Sequence, residues 1–523
     1  MEDKYFVIAI GGTGMRCLEA FIHTCAMGMY DGKEITILAL DTDLENGNFA
    51  RVKNLIDAYK RIKGPDEKSH VSLKDTLFSA KIRFYKYSPD YSDFNKNGKF
   101  TSLFDYNKQK DRDIANLLLS KNVREFDLRH GYRAQTHLGS LLMYHSILSD
   151  IRKNQKCDLA KFITEILDAS NNGMPKVFVL GSVFGGTGAS SIPVIPNAFN
   201  AALQIIDPSK KLDKVLFGAT LLTSYFTFPV PDEAQRKNEK VIASHNNFSI
   251  NSQAAMMFYE NDNTVKTTYK SFYVLGTESL NFKTEQPGNK TLTGGLEQKN
   301  DSHFIELMAA FAAFDFFKTP VTSLTEHHTA KYYCRSIDDS GKLEFTDFVG
   351  ANEEFNFASR FAALVVSSFL ANHPKAELFS QAQLGKIENY NTSVDLPRVT
   401  ALKEYMSMFH YKIDQNNNIE DGWLRQVHRS AGGSDKFLFH PELFSISTFK
   451  QLDKFDWGKY LYCKDNNYAD CNFSSGFSSP YAKFKSEFLK ENDSYEIVDP
   501  MEKLIKRSFD TTLNIYKFSK KTS

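Results

Sequence analysis

The sequence predicts an α/β protein. It has a parallel-sheet domain over residues 1–325, then a smaller α+β domain with an irregular C-terminal extension over 326–523. Three observations predict this. From residue 5 to about 280, short apolar runs alternate with longer helical patterns, as in a series of βαβ units. Two of the apolar runs lead into near-identical glycine-rich turns, Gly11-Gly12-Thr13-Gly14 and Gly185-Gly186-Thr187-Gly188, each opening a helix. At 523 residues the chain also exceeds what one hydrophobic core usually serves.

Tyr5-Phe6-Val7-Ile8-Ala9-Ile10 is a continuous apolar run, the pattern of a parallel strand covered on both faces. It passes through the first glycine turn into a helix that begins at Met15, and residues 35–40 form the next strand. An insertion-rich stretch follows, with loops around Ser88-Pro89-Asp90 and Asn95-Lys96-Asn97-Gly98; Ile82-Arg83-Phe84-Tyr85 supplies a third strand. The run at 176–181 is then the fourth strand, and the second glycine turn follows it. Strands at 214–222 and 271–275 complete the series. Right-handed crossovers place the turns after parallel strands along one carboxyl edge of the sheet, where open α/β folds bind ligands.

A long helix over 302–317 follows from the helical spacing of Phe304, Ile305, Leu307, Met308, Phe311 and Phe314, and Thr319-Pro320 stops it. The pattern then changes. Tyr332-Tyr333-Cys334 and Leu343-Glu344-Phe345 read as strands around the turn Asp338-Asp339-Ser340-Gly341, followed by an apolar helix over 355–371. This change sets the domain boundary near 325–350, and beyond Pro397 the chain reads as polar and loop-rich.

Lysine plus arginine number 64 against 63 acidic residues, so no global charge draws the chain to nucleic acid or anionic membrane. The six cysteines, among them Cys17, Cys157 and Cys334, form no C-x-x-C pair. That argues against a zinc site or disulfide framework and fits buried thiols in a reducing cytoplasm. The charged start Glu2-Asp3-Lys4 lacks the pattern of a secretory signal, so a cytoplasmic location is expected. The most apolar stretch, 361–370, is far shorter than the roughly 20 residues a bilayer crossing needs.

Glycine suits these turns because a phosphate must approach the backbone closely and some residues must take positive φ. With their threonines, the two turns suggest one phosphate chain held from two sides. Their order resembles the tubulin/FtsZ superfamily, in particular its divergent bacterial tubulin-like members, over roughly the first 320 residues. That resemblance implies a GTP- or GDP-binding protein with Mg²⁺ on the phosphates. It assigns Gly11, Gly12, Thr13, Gly14 and Met15 to the first phosphate loop. The family's G-G-G-T-G-[ST]-G signature matches Phe184-Gly185-Gly186-Thr187-Gly188-Ala189-Ser190, where Phe184, Ala189 and Ser190 depart from it. Asp41 and Asp43, within Leu40-Asp41-Thr42-Asp43, resemble the family's N-T-D near the nucleotide, with Asp41 in place of asparagine.

By the same resemblance Arg133 faces the γ-phosphate, Tyr225 lies in the sugar-facing loop, and Asn300 reads the base with His303 packed nearby. A surface arginine fits Arg133 equally, and a helix N-cap would by itself account for Asn300. The family hydrolyses GTP by inserting an acidic loop into the next subunit's pocket. Here the segment after the long helix lacks the N-x-D spacing, and its one nearby acid is Glu326, a candidate catalytic residue or a solvated loop glutamate. The implied activity is a slow, assembly-dependent GTPase that self-associates head to tail into filaments or oligomers.

Two other readings stand beside it. A nucleotide-binding scaffold that no longer hydrolyses GTP fits the altered acidic loop. A Rossmann NAD(P)-dependent oxidoreductase fits Gly12, Gly14 and Asp41, but its third glycine falls at Cys17 and it leaves the second turn unexplained. His327-His328, with His303 and Cys334, match no metal-ligand spacing, so no metal held by protein side chains is expected. Serine hydrolase, zincin and Walker motifs are absent. Arg425, His428, Arg429 and Lys436 make a small basic cluster that reads as a solvated face.

Overall fold

The computed structural model describes residues 4–43, 45–64, 75–89, 91, 108–125, 128, 131–132, 134–227, 233, 244–277, 295–298, 300–337, 354–372, 392–416, 418–430, 480–490 and 499–515. The chain runs β1 (Lys4–Ile10), α1 (Gly11–Ala26), β2 (Glu34–Leu40), α2 (Gly47–Lys63) and β3 (Lys81–Tyr87). Short helices α3 (Gln109–Leu118) and α4 (Lys121–Glu125) lead to α5 (Thr136–Lys153) and α6 (Asp158–Ser170). Then come β4 (Lys176–Leu180), α7 (Gly186–Ser191), α8 (Ile195–Ile206), β5 (Leu216–Leu222), α9 (Phe248–Asn261), α10 (Asn263–Thr268) and β6 (Tyr269–Thr277). The long helix α11 (Phe304–Lys318), the short α12 (Val321–Thr325) and β7 (Lys331–Ile337) follow.

Seven strands form one parallel sheet in the order β3-β2-β1-β4-β5-β6-β7. The chain builds outward from β1 through β2 to β3, then returns to β4 on the other side of β1. Successive crossovers therefore leave β1 and β4 in opposite directions, which opens a crevice at their carboxyl ends. Ala9 pairs with Leu180, so the two strands end nearly level.

Both faces of the sheet are covered, which is why its central strands read as continuous apolar runs. Phe6, Ile8 and Ile10 pack into a layer with α5, α6 and α8. Val7 and Ala9 point to the other layer, which holds α1, α2 and α11. A buried lysine ties that layer to the sheet. Lys176, which opens β4, donates to the carbonyls of Phe317 and Thr319 at 2.7 and 2.6 Å, closing the C-terminus of α11.

Beyond α12 the chain follows the sequence expectation in part, and the apolar helix expected over 355–371 is present as Glu354–Asn372. Tyr332-Tyr333-Cys334 does form a strand, but it lies in β7 and pairs in parallel with β6, completing the main sheet. The boundary expected at 325/326 thus falls between α12 and the sheet's seventh strand. Residues 343–345, the companion strand expected, lie outside the described residues. The described helices beyond β7 are α13 (Glu354–Asn372), α14 (Thr392–Phe409), α15 (Trp423–Ser430), α16 (Pro480–Phe488) and α17 (Pro500–Ile515). They share one buried cluster with α1, α2 and α11. A small antiparallel pair, β8 (Tyr411–Ile413) and β9 (Ile419–Asp421), joins α14 to α15. The stretch after Pro397 is helical because Val399, Leu402, Tyr405, Met406 and Phe409 recur on one face and bury it, while Pro397 sits within the first two turns of α14. No helix among the described residues is long and apolar enough to cross a membrane.

Candidate functional site

The crevice between the ends of β1 and β4 is lined by residues from both glycine turns, from the end of β2 and from the segment before α11. The first turn opens α1 directly, and Ile10 at its N-cap supplies no side-chain acceptor. The first N–H groups of a sixteen-residue helix are thus left for a partner other than a cap. Gly11 takes φ +67°, and a Cβ there would lie 3.3 Å from the Thr187 Cβ, so the two turns touch. Within four identical letters the glycines divide. A Cβ on Gly14 would sit 2.6 Å from the Leu180 carbonyl oxygen, and one on Gly188 equally close to that of Ser182. These last glycines let helix and strand pack. Gly12, by contrast, faces the crevice, and its nearest neighbour would be the Asn48 Nδ2 at 3.4 Å.

Beside the first turn stands Asp41 at the end of β2. Burial and, after it, the charge of Asp43 raise its pKa to about 7. Asn46 organises this corner. Its Oδ1 accepts from the Phe49 N–H at 2.9 Å to cap α2, and its Nδ2 donates to Asp41 Oδ2 at 3.1 Å and to the Asp43 carbonyl. Asp43 Oδ2 accepts from the Gly295 N–H at 2.7 Å.

The wall opposite is built on Arg16, only 2 % exposed. Its Nη2 donates to the Tyr225 hydroxyl at 2.5 Å, its Nε lies 2.8 Å from Glu306 Oε1, and Tyr225 donates to the same Oε1 at 2.7 Å. Burial opposes the guanidinium charge, but Tyr225 and Glu306 outweigh it and raise the pKa. Burial likewise raises that of Glu306, against the pull of Arg16. Arg16 Nη1 is buried and has no hydrogen-bond partner. Its Cζ lies 4.8 Å from the Phe226 ring centroid, and Phe184, Phe226 and Phe248 pack together at the crevice edge.

Asn300 closes the crevice from the α11 side. Its N–H donates to Asn48 Oδ1 at 3.3 Å, its carbonyl accepts from Arg51 at 3.2 Å, and its buried Oδ1 has no partner. An unpaired donor and an unpaired acceptor among the buried lining residues leave polar capacity that a ligand would fill.

Of the residues singled out from the sequence, Gly11, Gly12, Thr13, Asp41, Asp43, Gly185, Gly186, Thr187, Gly188 and Asn300 line the crevice. Gly14, Met15, Ala189 and Ser190 lie behind it, and Ser190 Oγ turns back to the Thr187 carbonyl at 3.1 Å. Tyr225 is fully buried as the support of Arg16, and its neighbour Phe226 reaches the crevice instead. His303 caps α11, where Glu306 completes a capping box; burial pushes its pKa well below the ordinary value, leaving it neutral. Arg133 lies outside the described residues, between Tyr132 and Ala134, which line the crevice. Glu326 stands apart from the crevice. Its side chain is 64 % exposed, with His327 and Lys331 each 3.7 Å away. Among the described residues, no group of three or more His, Cys, Asp or Glu gathers as a metal site.

Sequence reasoning missed Arg16, Asn46, Asn48 and the phenylalanine edge. Arg16 carried a signal. It is a cation near the N-terminus of a largely apolar helix, where the macrodipole opposes it, so a compensating acid was to be expected.

The site and sheet define an α/β protein with a parallel core of the kind found in Rossmann-like and tubulin-like proteins. No family model and no curated protein matches the chain. Among solved structures it is similar to Clostridium botulinum phage c-st TubZ (C-terminal tail truncated protein), with 13 % identity, a TM-score of 0.20 and 52 % of each chain covered. The matched part spans about half the length of either chain, too little superposable backbone to bear on function.

Proposed function

We propose that the protein binds a guanine nucleotide, GTP or GDP, in this crevice as a tubulin-like nucleotide-binding protein. The observation that carries the reading is the meeting of two G-G-T-G turns from adjacent strands at the sheet's switch point, with Gly12 open to the crevice. Backbone N–H groups of residues 11–13 and 185–187 would take the phosphates from two sides. Asn300, with its unpaired Oδ1, would accept from the donor groups of the base, and Arg16, with its unpaired Nη1, would donate to its acceptor. Asp41, half neutral near pH 7, opposes bound phosphates less than an ordinary carboxylate would. Mg²⁺, arriving with the nucleotide, would screen the phosphate charge.

Hydrolysis, on this reading, is slow and needs assembly. In parallel strands the crevice lies at the carboxyl edge, whereas Glu326 precedes β7 and so lies at the opposite edge, beyond the far end of α11. That helix has 15 residues and is about 22 Å long. Glu326 could reach a crevice only in the next copy of a head-to-tail stack. A chain that binds GTP without cleaving it is the corresponding scaffold.

The test is to denature purified protein, identify the nucleotide released, and then sediment the protein with GTP, GDP and NAD added separately. Bound guanine nucleotide and GTP-dependent sedimentation support the reading. Bound NAD, or a Gly186→Val variant that binds as wild type while Gly12→Val does not, would favour a Rossmann site instead.

A further inference from the structure

We infer that α15, from the distant C-terminal part of the chain, positions the wall of the crevice that carries Asn300, with Gln426 as its principal positioning residue. The inference rests on the nucleotide reading above. One face of α15 is fixed in the core. Trp423, Leu424 and Val427 are buried, and Trp423 lies 4.5 Å from the His23 ring of α1 and 5.9 Å from Phe409. Gly422, just before the helix, is pressed against the backbone of His410, so the seat is close.

The helix's other face meets residues 300–304. Gln426 and Ser430, one turn apart, address backbone donors on either side of His303. Gln426 Oε1 accepts from the Ser302 N–H at 3.1 Å, and Ser430 Oγ accepts from the Phe304 N–H at 2.9 Å. These partners are 124 and 126 residues away along the chain. Arg429 adds an ion pair to Asp301 at 2.7 Å. The N-terminus of α11 thus receives acceptors from α15 as well as from its own capping box.

Gln426 also holds a charge in place. Its Oε1 accepts from Arg51 Nη2 at 3.1 Å, while Arg51 pairs with Glu19 through two bonds of 2.7 and 2.5 Å and donates to the Asn300 carbonyl. Arg51 also donates to Ser302 Oγ. Removing the Gln426 acceptor would therefore leave the Ser302 N–H short of a partner and take away one of the three acceptors that fix Arg51 Nη2, on the stretch of backbone that aims Asn300. Among the described residues no hydrogen bond joins α15 to either glycine turn, and its contact with α1 lies at His23, about three turns beyond the first turn, so the two halves of a nucleotide would feel the loss unequally.

The experiment titrates full-length protein with GDP and, separately, with inorganic tripolyphosphate. Gln426→Leu is expected to weaken GDP binding about tenfold and to leave tripolyphosphate binding within about twofold. Gln426→Glu keeps an acceptor for both donors and is expected to restore most of the GDP affinity. Should Gln426→Leu not fold, Ser430→Ala removes a single acceptor and is expected to show the same split, smaller. GDP affinity unchanged in Gln426→Leu, or GDP and tripolyphosphate weakened together, overturns the inference alone. Wild-type protein that binds no GDP overturns the nucleotide reading first and this inference with it.

Discussion

The two G-G-T-G turns carry the same residues on different supports. The first opens a sixteen-residue helix, and one turn into that helix Arg16 is held in the crevice wall by Tyr225 and Glu306. The second opens a helix of six residues, and the corresponding side chain, Ser190, folds back onto its own turn. A short helix sums few peptide dipoles, so the first turn offers the stronger electrostatic site and the second mainly a shape. The lesson is that the repeated motif specifies a backbone, while the residue two places beyond it specifies charge.

The sharpest test of that contrast is the pair Arg16→Leu and Ser190→Ala. Arg16→Leu strands the carboxyl of Glu306 and the hydroxyl of Tyr225 in the core and should destabilise by about 3–5 kcal/mol. Ser190→Ala loses one hydrogen bond and should destabilise by about 1 kcal/mol. Urea titration measures both, and adding Glu306→Gln to Arg16→Leu should recover part of the loss. Equal effects would erase the distinction between the turns.

Next in size are the packing glycines. Gly14→Ala and Gly188→Ala place a methyl 2.6 Å from a carbonyl oxygen and should each destabilise by about 1–3 kcal/mol. Gly12→Ala meets nothing closer than 3.4 Å, so thermal unfolding should show stability kept or raised by up to about 1 kcal/mol. Its effect should appear in GDP affinity instead. A Gly12→Ala variant as unstable as Gly14→Ala would show that the division of roles within the motif is wrong.

A smaller effect is expected from Asp41. Its folded pKa, about 7, stands above the ordinary carboxylate value, so the folded state binds a proton that the unfolded state has released. The associated stability is complete in acid and fades as pH rises through 7. Ligand-free protein should therefore have a higher urea midpoint at pH 5.5 than at pH 8 from this group. Asp41→Asn should flatten that slope; an unchanged slope would assign it elsewhere. Least of all, Glu326→Gln should alter neither the thermal midpoint nor GDP binding by the isolated chain, because the side chain is exposed and away from the crevice. A loss of GDP affinity there would place Glu326 in its own crevice.

Much of the sheet was legible because strands buried on both faces leave continuous apolar runs, as at Phe6–Ile10 and Val177–Leu180. The strand inside the insertion-rich stretch was legible too, near Ile82–Tyr85. β7 was visible as a strand, but sequence order suggested a new unit, since pairing across the long segment between β6 and β7 leaves no local trace. The apolar helix expected over 355–371 was legible, as Glu354–Asn372, whereas the helices after it were hidden by Pro397 and polar neighbours, although the buried stripe from Val399 to Phe409 was present. Within the site, glycines announce themselves through spacing. The lining formed by Arg16, Tyr225, and Asn300 with Glu306 comes from three separated segments, and no spacing rule brings such segments together.

The buried Lys176 has a mechanical consequence. With its ammonium on the last carbonyls of α11, and α15 on the first N–H groups, that helix is a strut pinned at both poles of the sheet. Sliding it along its axis would break charge-assisted bonds at one end and backbone acceptors at the other, several kcal/mol in all by order of magnitude. Motion that links the two poles would be a tilt or roll of the strut with its anchors, and the Lys176 end is its natural pivot.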